Sequence, residues 1–587
     1  MNLFVKKKIL FYHFFFLFSY CFSQSISYVP VLGAMKSDGF SMYIRSSDAS
    51  DVRLDLSIDQ TFSQTLTFND VINTIKDSSV IISASGLQPN TLYYYRVYLD
   101  NSLVYSSTAK TFNLDGSKDN LVFGVGSCVS PYYSSYIFNT ISSHSPSFFI
   151  YTGDWGYPDH TYGTSSTLFP DVPGAIENSY RDRYSDPIAA SFYSNTPIDY
   201  VYDDHDFIHD NCSGSTFSSA SFNSSSNVTS MYETPYSDNL KRKMVAAYVD
   251  YFPHYNLPDT SHGIYHSFVV GNCEFFVLDL RFNRTPNSDC FTLDTSINEW
   301  SYTPDSTHTI LGDDQKYWLA NEMLNSTADW KFIISSVTYN KSLQLIMDLM
   351  IFFQNNTFTY NNNTVSAAFM ASIMADNWAG YKIDREWLYD YCQLNSIDNV
   401  IVLSGDTHTS AIDDGENAGF PEMMAANLAQ ENSKLVYYLD SIYYKPLFNI
   451  GGQGINNNNY NFTFGKVDVF GEDSCRLTII DEFDQVVCTH TVLSSIYSDV
   501  ESEESSAFHF NIYPNPALNE INITSSNLAN VNIRLYDMKG RVVVNKENVD
   551  PTNLILNVKD LNNGMYAIEI KNTQLGKYFS KTIMILH

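Results

Sequence analysis

The sequence predicts a β-rich protein of several domains, of which the central one is built from α/β layers. At 587 residues the chain is too long for a single hydrophobic core, so about three domains are expected. In the middle of the chain, short apolar runs typical of buried strands alternate with stretches of helical periodicity, which favours α/β layers. On either side the chain alternates polar and apolar residues, which favours β-sandwiches.

The segment over residues 24–115 predicts a small β-sandwich. Alternating stretches such as 41–45 and 52–56 lead to Leu87-x-Pro89-x-Thr91 and then a tyrosine-rich strand. This arrangement resembles the corner of fibronectin type III sandwiches, where a tyrosine hydroxyl ties the loop back to the backbone. We therefore expect a structural role for these tyrosines and no chemistry in this segment.

The beginning of the chain predicts a signal peptide over residues 1–23. Lys6-Lys7-Lys8 precedes an apolar run from Ile9 to about Phe22, which is short for a membrane-spanning helix. Cys21 raises the alternative of a lipoprotein, although the residues before it fit a lipid-attachment box poorly. No later segment reaches spanning length, so we expect no transmembrane segment in the mature chain.

The charge balance bears on the partners of the protein. The chain carries 34 Lys and Arg against 64 Asp and Glu, a formal net charge of -30. Nucleic acid and anionic membrane surfaces would repel such a chain, so we expect no nucleic-acid binding surface. The same balance is compatible with Ca²⁺ binding.

Seven cysteines remain after the predicted signal peptide, an odd number that leaves at least one unpaired within the chain. Cys475 and Cys488 flank a predicted hairpin, so a disulfide between them is one possibility. We expect Cys128 to be the unpaired cysteine, because it ends a strand beside the predicted site.

Four apolar runs of the central region each lead into acidic or basic side chains. The polar residues that follow these runs are Asp154, the Asp203-Asp204-His205 stretch, Asp279 with Arg281, and Asp406-Thr407-His408. In layered α/β folds the carboxyl ends of strands commonly form the site. We therefore predict an assembled metal site.

The residue types and spacings indicate which cations suit this site. Asp154 offers two oxygens that can bridge two cations, and Tyr157 follows three residues later. A phenolate and a thiolate from Cys128 suit Fe³⁺, whereas carboxylate-rich positions suit Ca²⁺ or Mn²⁺. Asp406 and His408 share one face of an extended segment, because side chains alternate there.

As an ordered set, these motifs resemble PhoD-type alkaline phosphatases, relatives of the calcineurin-like metallophosphoesterases and purple acid phosphatases. The resemblance runs from about residue 25 to residue 492. The matching pieces are Gly126-Ser127-Cys128, Gly153-Asp154-x-x-Tyr157, Asp203-Asp204-His205-Asp206, Leu278-Asp279-x-Arg281-x-x-Arg284, Leu311-Gly312-x-x-Gln315-x-x-Trp318-Leu319, Asp376-Asn377-Trp378-x-Gly380-Tyr381-x-x-x-Arg385 and Ser404-Gly405-Asp406-x-His408.

The resemblance implies a phosphoester hydrolase that holds Fe³⁺ and Ca²⁺ in a domain over residues 116–495. The residues that it places on iron are Cys128, Asp154 and Tyr157, with His408 or Asp406 completing the shell. Asp154 would also bridge to calcium, for which the Asp203-Asp204 pair supplies a further ligand.

The same resemblance assigns roles toward the substrate. His205 would contact the phosphate or protonate the leaving group, and Arg281 or Arg284 would neutralise phosphate charge. A structural histidine and ion-paired surface arginines are the alternatives at these positions. At two positions the sequence departs from the family: Tyr202 stands where Trp is usual, and Asp206 stands where Glu is usual. These departures affect the calcium ligand shell that the resemblance implies.

The C-terminal part predicts an acidic linker over residues 496–506 and a small β-sandwich over residues 507–587. This last segment resembles the C-terminal sorting domain of the Bacteroidetes type IX secretion system; an ordinary β adhesion module is the alternative. The resemblance implies handling by the type IX machinery and export through the periplasm and across the outer membrane, to the cell surface or the medium.

Together these observations predict a secreted phosphatase that hydrolyses phosphate mono- or diesters with metal-activated water. The alternative from another class is a catalytically silent, calcium-binding cell-surface module that retains the phosphatase fold.

Overall fold

The computed structural model describes most of the chain. The described residues are 25–133, 135–164, 167–187, 189–213, 234–297, 299–354, 356–360, 363–434, 446–455, 457–495, 510–514, 517–525, 530–537, 541–562, 564–572 and 578–585. The predicted signal peptide over residues 1–23 and the predicted linker over residues 496–506 lie outside them.

The N-terminal segment is all β-structure within these described residues. Its strands are β1 (Val31–Gly33), β2 (Gly39–Arg45), β3 (Asp51–Ser57), β4 (Leu66–Val71), β5 (Ser79–Ser85), β6 (Leu92–Leu99) and β7 (Ser102–Lys110). One four-stranded sheet has the order β4-β3-β6-β7. The Tyr93 hydroxyl accepts a hydrogen bond from the Gln88 N–H at 2.9 Å, the loop-to-strand contact that the sequence pattern predicts.

The central region contains two larger sheets. Its strands are β8 (Leu121–Gly126), β9 (Phe149–Thr152), β10 (Ile198–Val201), β11 (His266–Val270), β12 (Cys273–Val277), β13 (Phe291–Asp294), β14 (Glu299–Tyr302), β15 (Trp330–Ile334), β16 (Thr357–Tyr360), β17 (Asn363–Ser366), β18 (Val400–Ser404), β19 (Ser410–Asp413), β20 (Glu422–Ala425), β21 (Gly451–Gly452), β22 (Thr463–Phe470), β23 (Ser474–Asp481) and β24 (Val486–Leu493). The first large sheet has the order β24-β23-β22-β8-β9-β10-β1-β2-β5, and the second β11-β12-β15-β18-β20-β19-β21. Three N-terminal strands thus continue the first sheet of the central region.

The two large sheets pack face to face through aromatic side chains. The ring of Phe123 on β8 lies 5.1 Å from that of Phe275 on β12 and 5.2 Å from that of Phe332 on β15, edge to face in both cases. All three residues are buried. Strands β8, β9 and β10 run parallel in one sheet, and β12, β15, β18 and β20 run parallel in the other. The carboxyl ends of two parallel sets are therefore available to build a site.

Ten helices accompany these sheets in the described part of the chain. They are α1 (Ile137–Ser143), α2 (Pro158–Tyr162), α3 (Ala175–Ser185), α4 (Ala190–Tyr193), α5 (Asp204–Phe207), α6 (Asp238–Tyr251), α7 (Gly312–Asn325), α8 (Ser342–Phe352), α9 (Ala367–Met374) and α10 (Lys382–Leu394). Helical periodicity in the sequence predicts α6, α7 and α10 to within two residues at each end. Among the helices of the described residues, none combines the length and apolar character needed to cross a membrane.

The C-terminal segment has its own hydrophobic core. Its strands are β25 (Asn511–Tyr513), β26 (Glu520–Thr524), β27 (Val531–Asp537), β28 (Val542–Val549), β29 (Leu554–Asn557), β30 (Gly564–Asn572) and β31 (Tyr578–Ile585). They form one sheet of three strands and one of four. The buried residues of this core, such as Ile533 and Ile568, all belong to this segment.

The disulfide considered between Cys475 and Cys488 is wrong, because both side chains are free thiols. Strands β23 and β24 form the predicted hairpin, but Cys475 faces Val492 and Cys488 faces Ile479. The two cysteines are therefore out of register with each other.

Candidate metal centre

The predicted site residues meet where strands of both large sheets end. Cys128 follows β8, Asp154 follows β9, and Asp203 follows β10, while Asp406 follows β18 of the other sheet. A Cβ atom on Gly405 would lie 2.6 Å from Ser127 Oγ and 2.7 Å from Thr152 O, so glycine permits the close approach of the two sheets.

The backbone at this junction is unusual. Cys128, Asp154, Tyr157, Asp406 and His408 all have positive φ, between 47° and 76°. Residues other than glycine adopt this left-handed conformation rarely, and such strain concentrates at functional sites. Five of the predicted ligands therefore leave the regular backbone at the point where their side chains turn toward one another.

One group of side chains combines sulfur, oxygen and nitrogen donors. Cys128, Asp154 and His408 place their ligand atoms within 4.8 Å of one another. The Tyr157 hydroxyl donates a hydrogen bond to Asp154 Oδ2 at 3.0 Å and lies 2.9 Å from His408 Nε2. The Cys128 thiol lies 3.6 Å from the same Asp154 oxygen. These four residues surround a common point, as the sequence predicts.

A second group consists of carboxylates. Asp203, Asp204 and Asp406 place an oxygen each within 4.8 Å of one another. Asp154 and Asp204 also approach His205 within that limit, so Asp154 belongs to the mixed group and also contacts the acidic one. Asp154 therefore lies between the two groups, and its role as a bridge between two cations stays a prediction.

Several of these oxygens lack a partner. Asp154 Oδ1 and Asp203 Oδ2 are buried and have no hydrogen-bond partner among the described residues. Leaving a buried acceptor unsatisfied costs free energy, and more for a charged group. A cation is the kind of partner that would remove this cost.

The pKa shifts in the cluster also favour a bound cation. Burial and the neighbouring Asp204 charge raise the pKa of Asp154 well above its usual range. Burial, reinforced by Asp203 and Asp204, does the same to the pKa of Asp406. Burial raises the pKa of the Cys128 thiol to about 12. Arg281 and His205 supply positive charge beside Asp203 and Asp204, and a further positive charge would favour the ionised forms of Asp154 and Asp406.

His205 lies at the edge of this cluster. Its Nδ1 is 2.8 Å from Asp159 Oδ2, and its Nε2 is 3.7 Å from Asp210 Oδ1. Burial lowers the pKa of His205, but the charges of Asp204 and Asp159 outweigh it and raise the pKa well above the usual value. The carboxylates around the ring therefore favour its protonated form.

The two predicted arginines are buried rather than on the surface. Arg281 donates to both oxygens of Asp376 at 2.8 Å and, through Nε, to Asp203 Oδ1 at 2.5 Å. Arg284 donates to Asp376 Oδ1 at 2.6 Å. Both guanidinium groups are thus turned toward Asp376, and Arg281 also holds a predicted metal ligand.

Sequence reasoning gave no role to three residues of this region. Asp376 belongs to one of the matched motifs but was assigned no function, and it connects the two arginines. Asp159 and His160 lie beside His205, and the spacing of His160 gave no sign of this contact. In the sequence, the position of Asp159 and His160 shortly after Tyr157 is the signal that points to this contact.

Comparisons with known proteins identify the family of this chain. Residues 123–476 match the sequence model of the PhoD-like phosphatase family. The chain belongs to this family. A curated member, alkaline phosphatase D of Bacillus subtilis (strain 168), is 25% identical over 362 residues, which cover 57% of this chain and 53% of the relative. The match therefore spans about half the length of that PhoD-like relative.

Two solved structures were found to be similar to this PhoD-like chain. The structure of PhoD superposes with a TM-score of 0.57 at 19% identity, covering 80% of this chain and 91% of that one. The purple acid phosphatase PPD1 from yellow lupin (Lupinus luteus) gives a TM-score of 0.46 at 11% identity, covering 81% of this chain and 75% of that one. The similarity to the structure of PhoD shows that this chain has a PhoD-like fold.

Residues 511–585 match the model of a secretion system C-terminal sorting domain. This is the segment with its own hydrophobic core. The sorting domain indicates export, to the cell surface or into the surroundings.

Proposed function

We propose that this PhoD-like protein is an exported hydrolase of phosphate mono- or diesters that works with Fe³⁺ and Ca²⁺ in the candidate metal centre. The observation that carries the proposal is the shared position of Asp154 between a Cys–Tyr–His donor set and a set of carboxylates. Matched residues 123–476 contain both donor sets.

The donors fit these two cations. Cys128, Tyr157 and His408, together with Asp154, form the mixed set that would hold Fe³⁺. Asp203, Asp204 and Asp406 form the all-oxygen set that would hold Ca²⁺, again with Asp154. The unpartnered Asp154 Oδ1 and Asp203 Oδ2 supply lone pairs for this purpose.

Cations bound in this way polarise a phosphoryl group and lower the pKa of water, so that a nucleophile is available near neutral pH. The chain's own residues prepare the other half of the reaction. Asp159 and Asp204 favour the protonated form of His205, which would donate its proton to the leaving oxygen.

In this proposal Arg281 orients a metal ligand and does not only neutralise charge. Its Nε and the Ser336 hydroxyl both donate to Asp203 Oδ1, which leaves Oδ2 without a hydrogen-bond partner among the described residues. Groups that orient metal ligands in this way commonly tune affinity and activity. In this proposal Arg284 supports Arg281 through their common partner Asp376.

The test is hydrolysis of p-nitrophenyl phosphate and bis(p-nitrophenyl) phosphate by the full chain, with iron and calcium measured by elemental analysis. We expect turnover with both metals present, and a loss of about 100-fold or more in Asp154→Asn with the fold retained. Asp199→Asn, a buried aspartate paired with His266, is the matched control and should keep most of its turnover.

Two results would contradict the proposal. Full turnover in Asp154→Asn would remove the bridging role of this carboxylate. Calcium binding without iron and without turnover in the unsubstituted protein would instead support a calcium-binding surface module. The ratio of rates on the two esters decides between a monoesterase and a diesterase.

A further inference from the structure

A second group of metal-binding side chains lies beside the candidate metal centre. Asp159, His160 and His205 place one carboxylate oxygen and two ring nitrogens within 4.8 Å of one another. Asp159 Oδ2 is 2.8 Å from His205 Nδ1 and 3.9 Å from His160 Nε2. The two imidazole rings are 4.7 Å apart, edge to face.

The carboxylate of this group has spare binding capacity. The Asp159 side chain is only 7% exposed, and its Oδ1 is buried with no hydrogen-bond partner in the described part of the chain. A buried carboxylate oxygen in that state is costly, and a cation between the three side chains would satisfy it. The surroundings are also acidic, since Asp210 Oδ1 lies 3.7 Å from His205 Nε2.

The donor set differs from that of the carboxylate group. Two imidazoles and one carboxylate suit a divalent transition metal such as Zn²⁺, whereas Ca²⁺ prefers oxygen ligands alone. The His160 side chain is 46% exposed, so solvent and ions reach this group from outside. Asp159 and His160 both lie on the short helix α2, directly after the predicted iron ligand Tyr157.

We propose that Asp159, His160 and His205 form an additional cation site that takes Zn²⁺ or a similar transition metal, next to the iron and calcium positions. One consequence rests on the proposed function: Zn²⁺ bound to the His205 ring would occupy the side chain that this function assigns to the leaving group. Turnover should therefore fall as the site fills.

The experiment measures Zn²⁺ binding directly. The full chain, loaded with iron and calcium, is dialysed to equilibrium against micromolar Zn²⁺, and bound zinc is counted by elemental analysis. We expect one high-affinity zinc in the unsubstituted protein and an affinity lower by about 100-fold in His160→Ala. His262→Ala is the matched control, because His262 is similarly exposed at 43% and pairs with Asp259 and Asp314.

The outcomes separate the two proposals. Equal zinc affinity in His160→Ala and the unsubstituted protein would overturn the additional site, whether or not the protein hydrolyses phosphoesters. Zinc should inhibit the unsubstituted protein and His262→Ala relative to their own zinc-free rates, but not His160→Ala. Equal inhibition in all three would overturn the link between this site and His205.

Discussion

The Tyr157 hydroxyl lies 2.9 Å from His408 Nε2, although 251 residues separate the two in the chain. Burial and the nearby charge of His205 lower the pKa of His408 to about 4, so its ring is neutral at pH 7. Burial and the Asp154 charge raise the pKa of Tyr157 well above its usual value. A neutral imidazole and a phenol thus face each other, and in the proposed function both would bind iron once the phenol loses its proton.

Tyr157→Phe tests this pairing by its colour. An Fe³⁺–tyrosinate absorbs visible light, so the unsubstituted protein should be coloured and the variant bleached. We also expect iron affinity to fall by about 10–100-fold, because one anionic ligand is lost. Visible absorption and iron content are the measurements.

Tyr151→Phe is the control for this experiment. Tyr151 is equally buried and its ring stacks on Trp155 at 4.9 Å. Tyr151→Phe should keep the visible absorption and the iron content of the unsubstituted protein. An unchanged visible spectrum in Tyr157→Phe would show that another group supplies the colour or that iron binds elsewhere.

Asp376→Asn tests whether the arginines orient a metal ligand. Without its charge, Asp376 would hold Arg281 less firmly, and Asp203 would lose its fixed position. We expect metal affinity to fall by about 10–100-fold, with kcat restored by excess metal and KM for substrate little changed. The unfolding free energy should also fall, by about 3–5 kcal/mol, because the two guanidinium groups lose a buried counter-charge.

The control for this variant is Asp384→Asn. Asp384 is also buried, accepts from the Ile310 N–H at 2.9 Å and pairs with Lys316 at 2.8 Å. It should cost stability without loss of metal. If Asp376→Asn instead raised KM and left metal affinity unchanged, the arginines would act on substrate phosphate, as the family resemblance implies.

His308 predicts a pH dependence of stability outside the metal centre. Its ring is buried against Tyr381, with centroids 4.3 Å apart, and its Nδ1 lies 2.8 Å from Thr285 Oγ1. Burial, which Asp384 only partly offsets, lowers the pKa of His308 from 6.5 to about 4. As the pH falls from 6.5 to about 4, His308 takes up a proton in the unfolded chain but stays neutral in the folded chain. The free energy of unfolding therefore decreases.

The contribution of His308 is fully present above pH 6.5 and gone near pH 4. Its size is on the order of 3 kcal/mol. Urea unfolding at several pH values should therefore give a shallower pH dependence for His308→Gln than for the unsubstituted protein. Parallel curves of unfolding free energy against pH for the two proteins would mean that His308 does not cause the pH dependence.

Removal of residues 507–587 tests the sorting domain. The hydrophobic core of this segment consists of its own residues, so the rest of the chain should fold and keep its turnover. We expect the truncated protein to accumulate in the periplasm rather than at the cell surface or in the medium. Cell fractionation with an activity assay checks this, and undiminished export of the truncated protein would contradict the role of the domain.

Much of the metal centre could be predicted because its residues follow buried strands. The apolar runs before Asp154, Asp203 and Asp406 mark strands whose carboxyl ends meet in a layered fold. The alternation rule also placed Asp406 and His408 on one face. Their backbones are in fact left-handed, yet His408 still reaches Tyr157.

The remaining contacts depend on tertiary geometry that no local pattern encodes. His160 meets His205 because the chain turns at Tyr157, with φ of 47°, and starts α2 there. Asp376 reaches Arg281 only through the loop between α9 and α10. Strand β1 joins the first central sheet by pairing with β10, whereas the sequence predicts a separate N-terminal sandwich over residues 24–115.

That junction between β1 and β10 has a consequence for biogenesis. β1 pairs with β2 on one side, but Gly33 pairs with Ile198 on the other, so this second edge of β1 is covered only after residue 198 has been translocated. Until then the hairpin edge of the N-terminal segment is exposed, and an unpaired strand edge invites aggregation. An exported chain must therefore keep this edge of β1 shielded until β10 is available to pair with it.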